Sequence, residues 1–216
     1  MSSPPLATSS NQTPRKSGDL SMRLPERELP IWDRPIPLPD RSPSPMLWLL
    51  GAHGGAGVST LAHVLAPAGD CGDRWPGGYG KQSPYVAIVA RETVSGLVKA
   101  GELLRQHTAG HGGPSTIIGL ITVADRPGRK LPKQIQQTRD VVTALVGRDW
   151  RIGWIEQYPL ARDPSGLAVW SPFDPQPEKK RSATDVPADI ATVGSELREA
   201  ILLDVQRSTT PTKGKP

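Results

Sequence analysis

The stretch MLWLLGAHGGAGVSTLAHVL, residues 46–65, decides the fold of this chain. It begins with an apolar run, Met46 to Leu50, which is typical of a buried parallel strand. A turn with several glycines follows, and these allow positive φ angles and a close approach of the backbone to a bound group. A short helical pattern then opens at Ser59 and Thr60. The stretch predicts a strand, a loop and a helix, with loop amides that form an anion-binding nest.

Strand and helix patterns alternate along the rest of the chain. Apolar strand patterns span residues 85–90, 116–124 and 150–156. Helical spacing begins at Val94, runs again from Ile135 to Leu145 before a C-capping Gly147, and returns over residues 188–206. Such alternation implies right-handed crossovers between parallel strands. We therefore predict an α/β fold, with a small parallel sheet of about four to five strands and flanking helices.

Composition sets the expected domain boundaries. With 24 prolines and 22 glycines in 216 residues, the chain is too rich in loops to be globular throughout. We expect a disordered Pro-rich tail over residues 1–45, an α/β domain over 46–206 that ends in a helix, and a disordered tail over 207–216. The segment from Leu29 to Pro39 has two interpretations. It is either a docking peptide for a partner or a linker whose Trp32 packs back on its own domain.

Several classes of protein are excluded by composition. The single Cys71 excludes an internal disulfide, and four scattered histidines give no metal-ligand spacing. No charged segment precedes an apolar signal-like run, and no apolar run approaches 18 residues. We expect a cytoplasmic protein without a membrane contact.

Eight residues after the first strand resemble the deviant Walker A motif of the MinD/ParA family of P-loop ATPases, K-G-G-x-G-K-[ST]-T. They are His53, Gly54, Gly55, Ala56, Gly57, Val58, Ser59 and Thr60. Six of the eight positions fit, and the two that differ, His53 and Val58, stand where the family has lysines. The resemblance implies a P-loop NTPase-like fold that binds ATP or another nucleotide with Mg²⁺, which Ser59 would face. With Gly51, these residues form the predicted phosphate-binding set.

The missing lysines shape the expected function. In the family that this motif resembles, the lysine at the place of Val58 grips the β- and γ-phosphates, and the one at the place of His53 reaches across a dimer. A charge-assisted contact of this kind contributes roughly 1.5 to 3 kcal/mol. We therefore expect no catalytic residue and predict a pseudo-ATPase, a nucleotide- or partner-binding regulatory or scaffold protein. Its expected protein partner is an active ParA/MinD-type ATPase or a second copy of the chain.

The ends of the other strands should meet the glycine-rich turn, because ligands sit off the carboxyl ends of parallel strands. These ends carry Arg91 with Glu92 and Thr93, Asp125 with Arg126, and the pair Glu156-Gln157. Asp125 stands where the MinD/ParA family has a base-reading Asn, so it is a candidate for base, ribose or Mg²⁺ contact; alternatively it caps the turn before Pro127. The short stretch 67–84 is expected to lack the strand, switch aspartate and Walker B strand of that family.

A basic edge follows Asp125. Residues 121–151 hold seven Arg and Lys against three Asp, a net charge of +4. Arg126, Arg129 and Lys130 lie next to the predicted anion site, as does Arg91. One alternative is a slow ATP hydrolase in which Arg91, Arg126 or a second subunit supplies the cation in place of the Walker lysine. Another is a nucleic-acid-binding adaptor without sequence readout, and a solvated basic loop is the third.

Other families fit the same glycines less well. Gly51, Gly55 and Gly57 also match the turn of short-chain dehydrogenases, but their Tyr-x-x-x-Lys pair is absent from this chain. A nucleophile elbow would require a small residue where Leu61 stands. A glycine-rich turn that binds nothing also remains an alternative.

Overall fold

The computed structural model describes residues 28–39, 42–128, 130–173 and 186–209. The strands in this part of the chain are β1 (Leu47–Gly51), β2 (Ala68–Asp70), β3 (Tyr85–Arg91), β4 (Thr116–Val123) and β5 (Asp149–Ile152). The helices are α1 (Val58–Val64), α2 (Val94–Thr108), α3 (Lys133–Thr143), α4 (Gln157–Leu160) and α5 (Ala188–Thr209), with a 3-10 turn at Pro164–Gly166.

The five strands form one parallel sheet in the order β2-β1-β3-β4-β5. The predicted α/β fold with a small parallel sheet and flanking helices is confirmed. Because all strands run the same way, their carboxyl ends share one edge, and the loops that follow β1, β3 and β4 start there.

Helices cover both faces of the sheet, and β1 shows how the sequence divides between them. Leu47 and Leu49 face a cluster that includes residues of α1 and α5, while Trp48 and Leu50 face a second cluster that includes residues of α2 and α3. All four side chains are fully buried. Alternate residues of a strand point to opposite faces, so a strand covered on both sides is a continuous apolar run.

The stretch 67–84, which was expected to lack the strand, switch aspartate and Walker B strand of the MinD/ParA family, holds one short strand. This strand, β2, pairs with β1 at the edge of the sheet. Its middle residue, Gly69, lies so close to Trp48 that an added Cβ would stand 2.6 Å from the indole ring. A three-residue strand with one glycine has almost no periodicity, which is why the sequence pattern missed it.

Two predicted boundaries also differ. The last strand ends at Ile152 rather than at residue 156, and α3 ends at Thr143 without Gly147 as its cap. Leu145 was expected on the buried face of that helix, yet its side chain is 52% exposed. The helix is therefore one turn shorter than its apolar pattern.

Residues 28–39 form an N-terminal strap on the domain. The backbone of Trp32 donates to Trp75 O (2.8 Å), and the Trp32 indole donates to Cys71 O (2.9 Å). Ile36 is buried, and the Gln82 amide bonds to both its N–H (3.0 Å) and its carbonyl (2.8 Å). These contacts favour the linker interpretation over the docking peptide.

The expected disordered tail over 1–45 is therefore wrong for residues 28–39, while residues 1–27 lie outside the described part of the chain. At the other end, α5 continues to Thr209, and residues 210–216 also lie outside it. No helix in the described ranges is long and apolar enough to cross a membrane.

Candidate functional site

The glycine loop, residues 51–57, joins β1 to α1. Gly55 and Gly57 have φ angles of 78° and 100°, in the left-handed region that favours glycine. A Cβ at Gly54, Gly55 or Gly57 would meet no atom within 4 Å, so the loop is open on its outer side. Ala56 is buried beneath the loop, and its backbone N–H donates to His53 O (3.2 Å), which closes a turn. The loop thus has left-handed glycines and open space on its outer side, two features that an anion nest also has.

Cavities lie on both sides of the glycine loop. The first cavity, about 480 Å³, is lined largely by apolar and aromatic side chains, including Leu61, Ile155, Trp154 and Tyr158, and by Asp125. The second cavity, about 690 Å³, is lined by charged side chains and by the loop. Those charged residues are Asp70, Asp73, Arg91, Lys99 and Glu102. A molecule with an apolar part and a charged part could therefore lie across the loop.

Arg91, at the end of β3, ties the loop to the neighbouring strand. Its Nε donates to Gly55 O (3.0 Å) and its Nη1 to Ala124 O (2.9 Å). A guanidinium has five N–H donors, and no contact within the described ranges uses the others. The side chain lines both cavities. Arg91 thus brings a permanent positive charge to the loop where the motif lacks a lysine.

His53 is turned inward rather than outward. Its Nε2 accepts from the backbone N–H of Arg91 (3.3 Å), and its Nδ1 lies 2.8 Å from Gly54 O. A neutral ring protonated on Nδ1 satisfies both contacts. A Cβ on Gly96 would stand 2.8 Å from Nε2, so α2 packs closely against the ring. His53 therefore stabilises the loop through contacts of both ring nitrogens with backbone atoms.

Val58, at the other lysine position, packs against the loop and the core. Its Cγ2 lies 3.1 Å from the place where a Cβ on Gly51 would stand. The side chain is half-buried against the cluster below α1, although it also lines the second cavity. Val58 has no hydrogen-bond donor in its side chain, so it fills space here rather than binding an anion.

Ser59 and Asp70 form a pair that the sequence did not predict. The Ser59 hydroxyl donates to Asp70 Oδ2 (2.9 Å), and Gly72 N–H donates to Asp70 Oδ1 (2.8 Å). Both side chains are exposed toward the second cavity. A carboxylate therefore reaches the first turn of α1 from the stretch that was expected to lack the switch aspartate and Walker B strand of the MinD/ParA family. The sequence gives little indication of this pair, because Asp70 ends a strand of only three residues.

A buried ion pair supports the strand ends beneath the site. Glu92, whose side chain is 1% exposed, accepts from Arg151 Nε (2.7 Å) and Nη2 (2.8 Å). Thr122 Oγ1 also donates to Glu92 (3.4 Å), and Arg139 Nε lies 3.9 Å away. The hydrogen bonds from Arg151 to Glu92 raise the pKa of the Arg151 guanidinium. Glu92 thus links β3, β4 and β5 and does not face the ligand space.

Asp125, which follows β4, lines the first cavity and is exposed. Arg126 and Lys130 are exposed beyond it but line neither cavity, and Arg129 lies outside the described residues. Gln157 begins α4 and, like Glu156, lines neither cavity, so this predicted pair does not join the site.

Two aromatic residues of the first cavity were missed by the sequence interpretation. Trp154 and Tyr158 follow β5 because that strand ends early. Burial raises the pKa of Tyr158 to about 12, and its hydroxyl has no hydrogen-bond partner in the described part of the chain. Neutral and partly buried, Tyr158 contributes an aromatic ring to the cavity.

No cluster of three or more His, Cys, Asp or Glu side chains that could hold a metal ion exists among the described residues. A divalent cation at Ser59 and Asp70 would therefore need further ligands from a bound molecule or from water.

Comparison with known proteins identifies a family but no function. A family model, described as a family of unknown function (DUF6668), matches residues 45–166. No curated protein and no solved structure matches the chain. The matched range holds the five strands, the glycine loop, Arg91, Asp125 and both aromatic residues of the first cavity. Because it covers more than half of the 216 residues, the chain belongs to the family DUF6668.

Proposed function

We propose that this protein binds a nucleotide with Mg²⁺ at the glycine loop, hydrolyses it slowly or not at all, and acts as a regulator or scaffold related to the MinD/ParA ATPases. The observation that carries the proposal is the open glycine loop, which lies between two cavities and has Arg91 bonded to it. An extended ligand with a planar base and charged phosphates suits an apolar cavity on one side and a polar cavity on the other.

The loop supports phosphate binding through its backbone. Successive N–H groups around left-handed glycines form a concave nest that favours anions. Arg91 adds charge beside that nest, and a charge-assisted contact contributes about 1.5 to 3 kcal/mol. Gly54 and Gly55 leave open the space that phosphate oxygens would occupy.

The residues around Ser59 fit Mg²⁺ bound together with phosphates. Mg²⁺ usually takes one or two protein oxygens and completes its octahedral shell with phosphate and water. Ser59 Oγ and Asp70 Oδ2, 2.9 Å apart, are the oxygens that would hold it, directly or through water. When bound, the ion would supply positive charge between the phosphates.

Slow or absent hydrolysis is expected because the glycine loop carries no positive charge at the position of the Walker lysine. Phosphoryl transfer depends on charge stabilisation around the transferred group. Val58 provides none, and two carbonyl contacts fix Arg91 at the base of the loop. A slow hydrolase that uses Arg91 is the alternative. Asp70 supports this alternative, because it places a carboxylate beside Ser59, where Mg²⁺ would bind. ATP turnover at rates ordinary for a ParA-type enzyme would contradict the pseudo-ATPase proposal.

A calorimetric titration with ATP, ADP and GTP, each with and without Mg²⁺, tests the proposal. The decisive variant is Gly54→Val, since Gly54 has no positive φ and faces open space. The variant should keep the wild-type melting temperature but lose binding, because the new side chain projects into the ligand space. Gly147→Val is the matched control: Gly147 also faces open space but lines neither cavity. Equal binding by both variants, or no binding by the wild type, would contradict the proposal.

A domain that binds a nucleotide but does not hydrolyse it can act only through the difference between its nucleotide-free and nucleotide-bound states. We therefore propose a cytoplasmic protein whose bound state changes its affinity for an active ParA/MinD-type ATPase or for a second copy of itself. Light scattering with and without magnesium nucleotide tests the second option. A mass that stays monomeric in both conditions would leave the ATPase partner as the proposal.

Nucleic-acid binding is the second candidate. Exposed cations at Arg126, Lys130 and Lys133 lie beyond the first cavity and favour it. Replacing all three with Ala should weaken DNA binding and reduce its log–log salt slope by about 0.7 to 0.9 for each lost phosphate contact. Absence of DNA binding by the wild type at low salt would remove this candidate.

A further inference from the structure

We propose that the bound nucleotide is a guanine nucleotide, whose base lies in the first cavity and is recognised by the carboxylate of Asp125. The inference rests on the proposed function and adds the identity of the base.

The composition of the two cavities decides where a base would lie. The first cavity has the aromatic rings of Trp154 and Tyr158 and apolar neighbours such as Leu61 and Ile155. A volume of about 480 Å³ lies within the usual range for small-molecule pockets. The charged side chains of the second cavity are three carboxylates, those of Asp70, Asp73 and Glu102, and two cations, Arg91 and Lys99. An uncharged planar ring is therefore suited to the first cavity, and phosphates with a hydrated cation to the second.

Asp125 is fixed relative to the glycine loop. It follows Ala124, whose carbonyl accepts from Arg91 Nη1, while Arg91 Nε bonds to the loop at Gly55. The Ala124 backbone also donates to Ile152 O (2.9 Å), which ties it to β5. The backbone that carries Asp125 is thus held at the edge of the first cavity, on the strand end that Arg91 joins to the loop, and the Asp125 side chain lines that cavity.

The chemistry of Asp125 favours guanine. Among the described residues that line the first cavity, Asp125 is the only carboxylate. An ionised carboxylate only accepts hydrogen bonds, and it can accept two side by side. Guanine presents two adjacent donors, N1–H and the 2-amino group. Adenine presents one amino group flanked by ring nitrogens that are themselves acceptors, so a carboxylate gains one bond and faces a lone pair. A bidentate contact of this kind separates the two bases by about tenfold or more.

The experiment measures the affinities of GDP, ADP, IDP and XDP, each with Mg²⁺, for the full-length wild-type protein and for Asp125→Asn. Inosine lacks the 2-amino group, and xanthine carries a carbonyl in its place. The wild type should bind GDP at least tenfold more tightly than ADP, with IDP between them. In the variant, GDP should bind at least tenfold more weakly and XDP more tightly, because an amide N–H pairs with the xanthine carbonyl.

Two controls separate the base from the phosphates. Inorganic pyrophosphate with Mg²⁺ should bind wild type and Asp125→Asn equally. Glu156→Gln, an exposed carboxylate near the same edge that lines neither cavity, should keep the wild-type order of bases.

The outcomes distinguish this inference from the proposed function. Tight ADP binding, or an order of bases that Asp125→Asn leaves unchanged, would overturn the guanine assignment while nucleotide binding stands. No binding of pyrophosphate or of any nucleotide would overturn both. A preference that shifts from GDP to XDP in Asp125→Asn, but not in Glu156→Gln, would support the assignment.

Discussion

Replacement of Arg151 by Met should destabilise the domain strongly. The substitution keeps much of the aliphatic volume but removes the two N–H groups that hold the carboxylate of Glu92 at 2.7 and 2.8 Å. The Glu92 side chain is 1% exposed, so water cannot replace them. Breaking a buried ion pair from one side costs about 3 to 5 kcal/mol, because the remaining charge stays buried without its partner.

Two features place the expected loss at the lower end of that range. The Arg151 side chain is 27% exposed, which weakens the pair through solvent screening, and Arg139 Nε remains 3.9 Å from Glu92. We expect a loss of about 3 kcal/mol in the free energy of unfolding. For a domain of this size the melting temperature should fall by about 6 to 12 °C.

Urea denaturation of the wild type, Arg151→Met, Glu92→Gln and the double variant measures the effect. Glu92→Gln should lower the free energy of unfolding less than Arg151→Met does. It leaves only a neutral amide buried, and the guanidinium of Arg151 is partly exposed to water. The double variant should be more stable than the sum of the two losses predicts, with a coupling of about 1.5 to 3 kcal/mol. An Arg151→Met protein within 1 kcal/mol of the wild type would refute this account of the strand ends.

Further predictions concern the strap and the loop. Ile36→Ala should lower stability by about 2 to 3 kcal/mol, because Ile36 is buried, while Ile31→Ala, at 39% exposure, should cost less than 1 kcal/mol; equal effects in thermal denaturation would argue against a packed strap. A chain that begins at Ser44 should likewise melt well below the full chain. Val58→Lys should strengthen nucleotide binding, since its ammonium can reach the second cavity from the position of Val58, and unchanged affinity in calorimetry would argue that the loop is not a phosphate site.

Much of the fold could be predicted from periodicity because the central strands are long and buried on both faces. The runs at residues 47–51, 85–91 and 116–123 are nearly continuous in apolar residues, and a parallel sheet follows from their spacing. The edge strand β2 could not be predicted, since its pairing with β1 depends on Gly69 fitting against Trp48 across the sheet. Tertiary contact, rather than local pattern, defines that strand.

The candidate site could also be predicted only in part from the sequence. The glycine loop and Asp125 were identified from local spacing, because they follow strands directly. Asp70 was missed because only the fold brings it to Ser59, eleven residues earlier. Glu92 was expected at the ligand edge, but its pairing with Arg151, 59 residues away, turns it inward. The prolines of the strap exclude a helix and a central strand, but they do not prevent the strap from packing on the domain through Trp32 and Ile36.

Amide chemical shifts recorded during a titration with magnesium nucleotide test the central claim most directly. If the glycine loop holds the phosphates, the largest changes should fall on the N–H groups of residues 54–59, with smaller changes at Arg91 and Asp125 next to them. The same titration of Gly54→Val should leave these signals unchanged. Saturable changes that avoid residues 54–59, or no changes at millimolar nucleotide, would contradict the account.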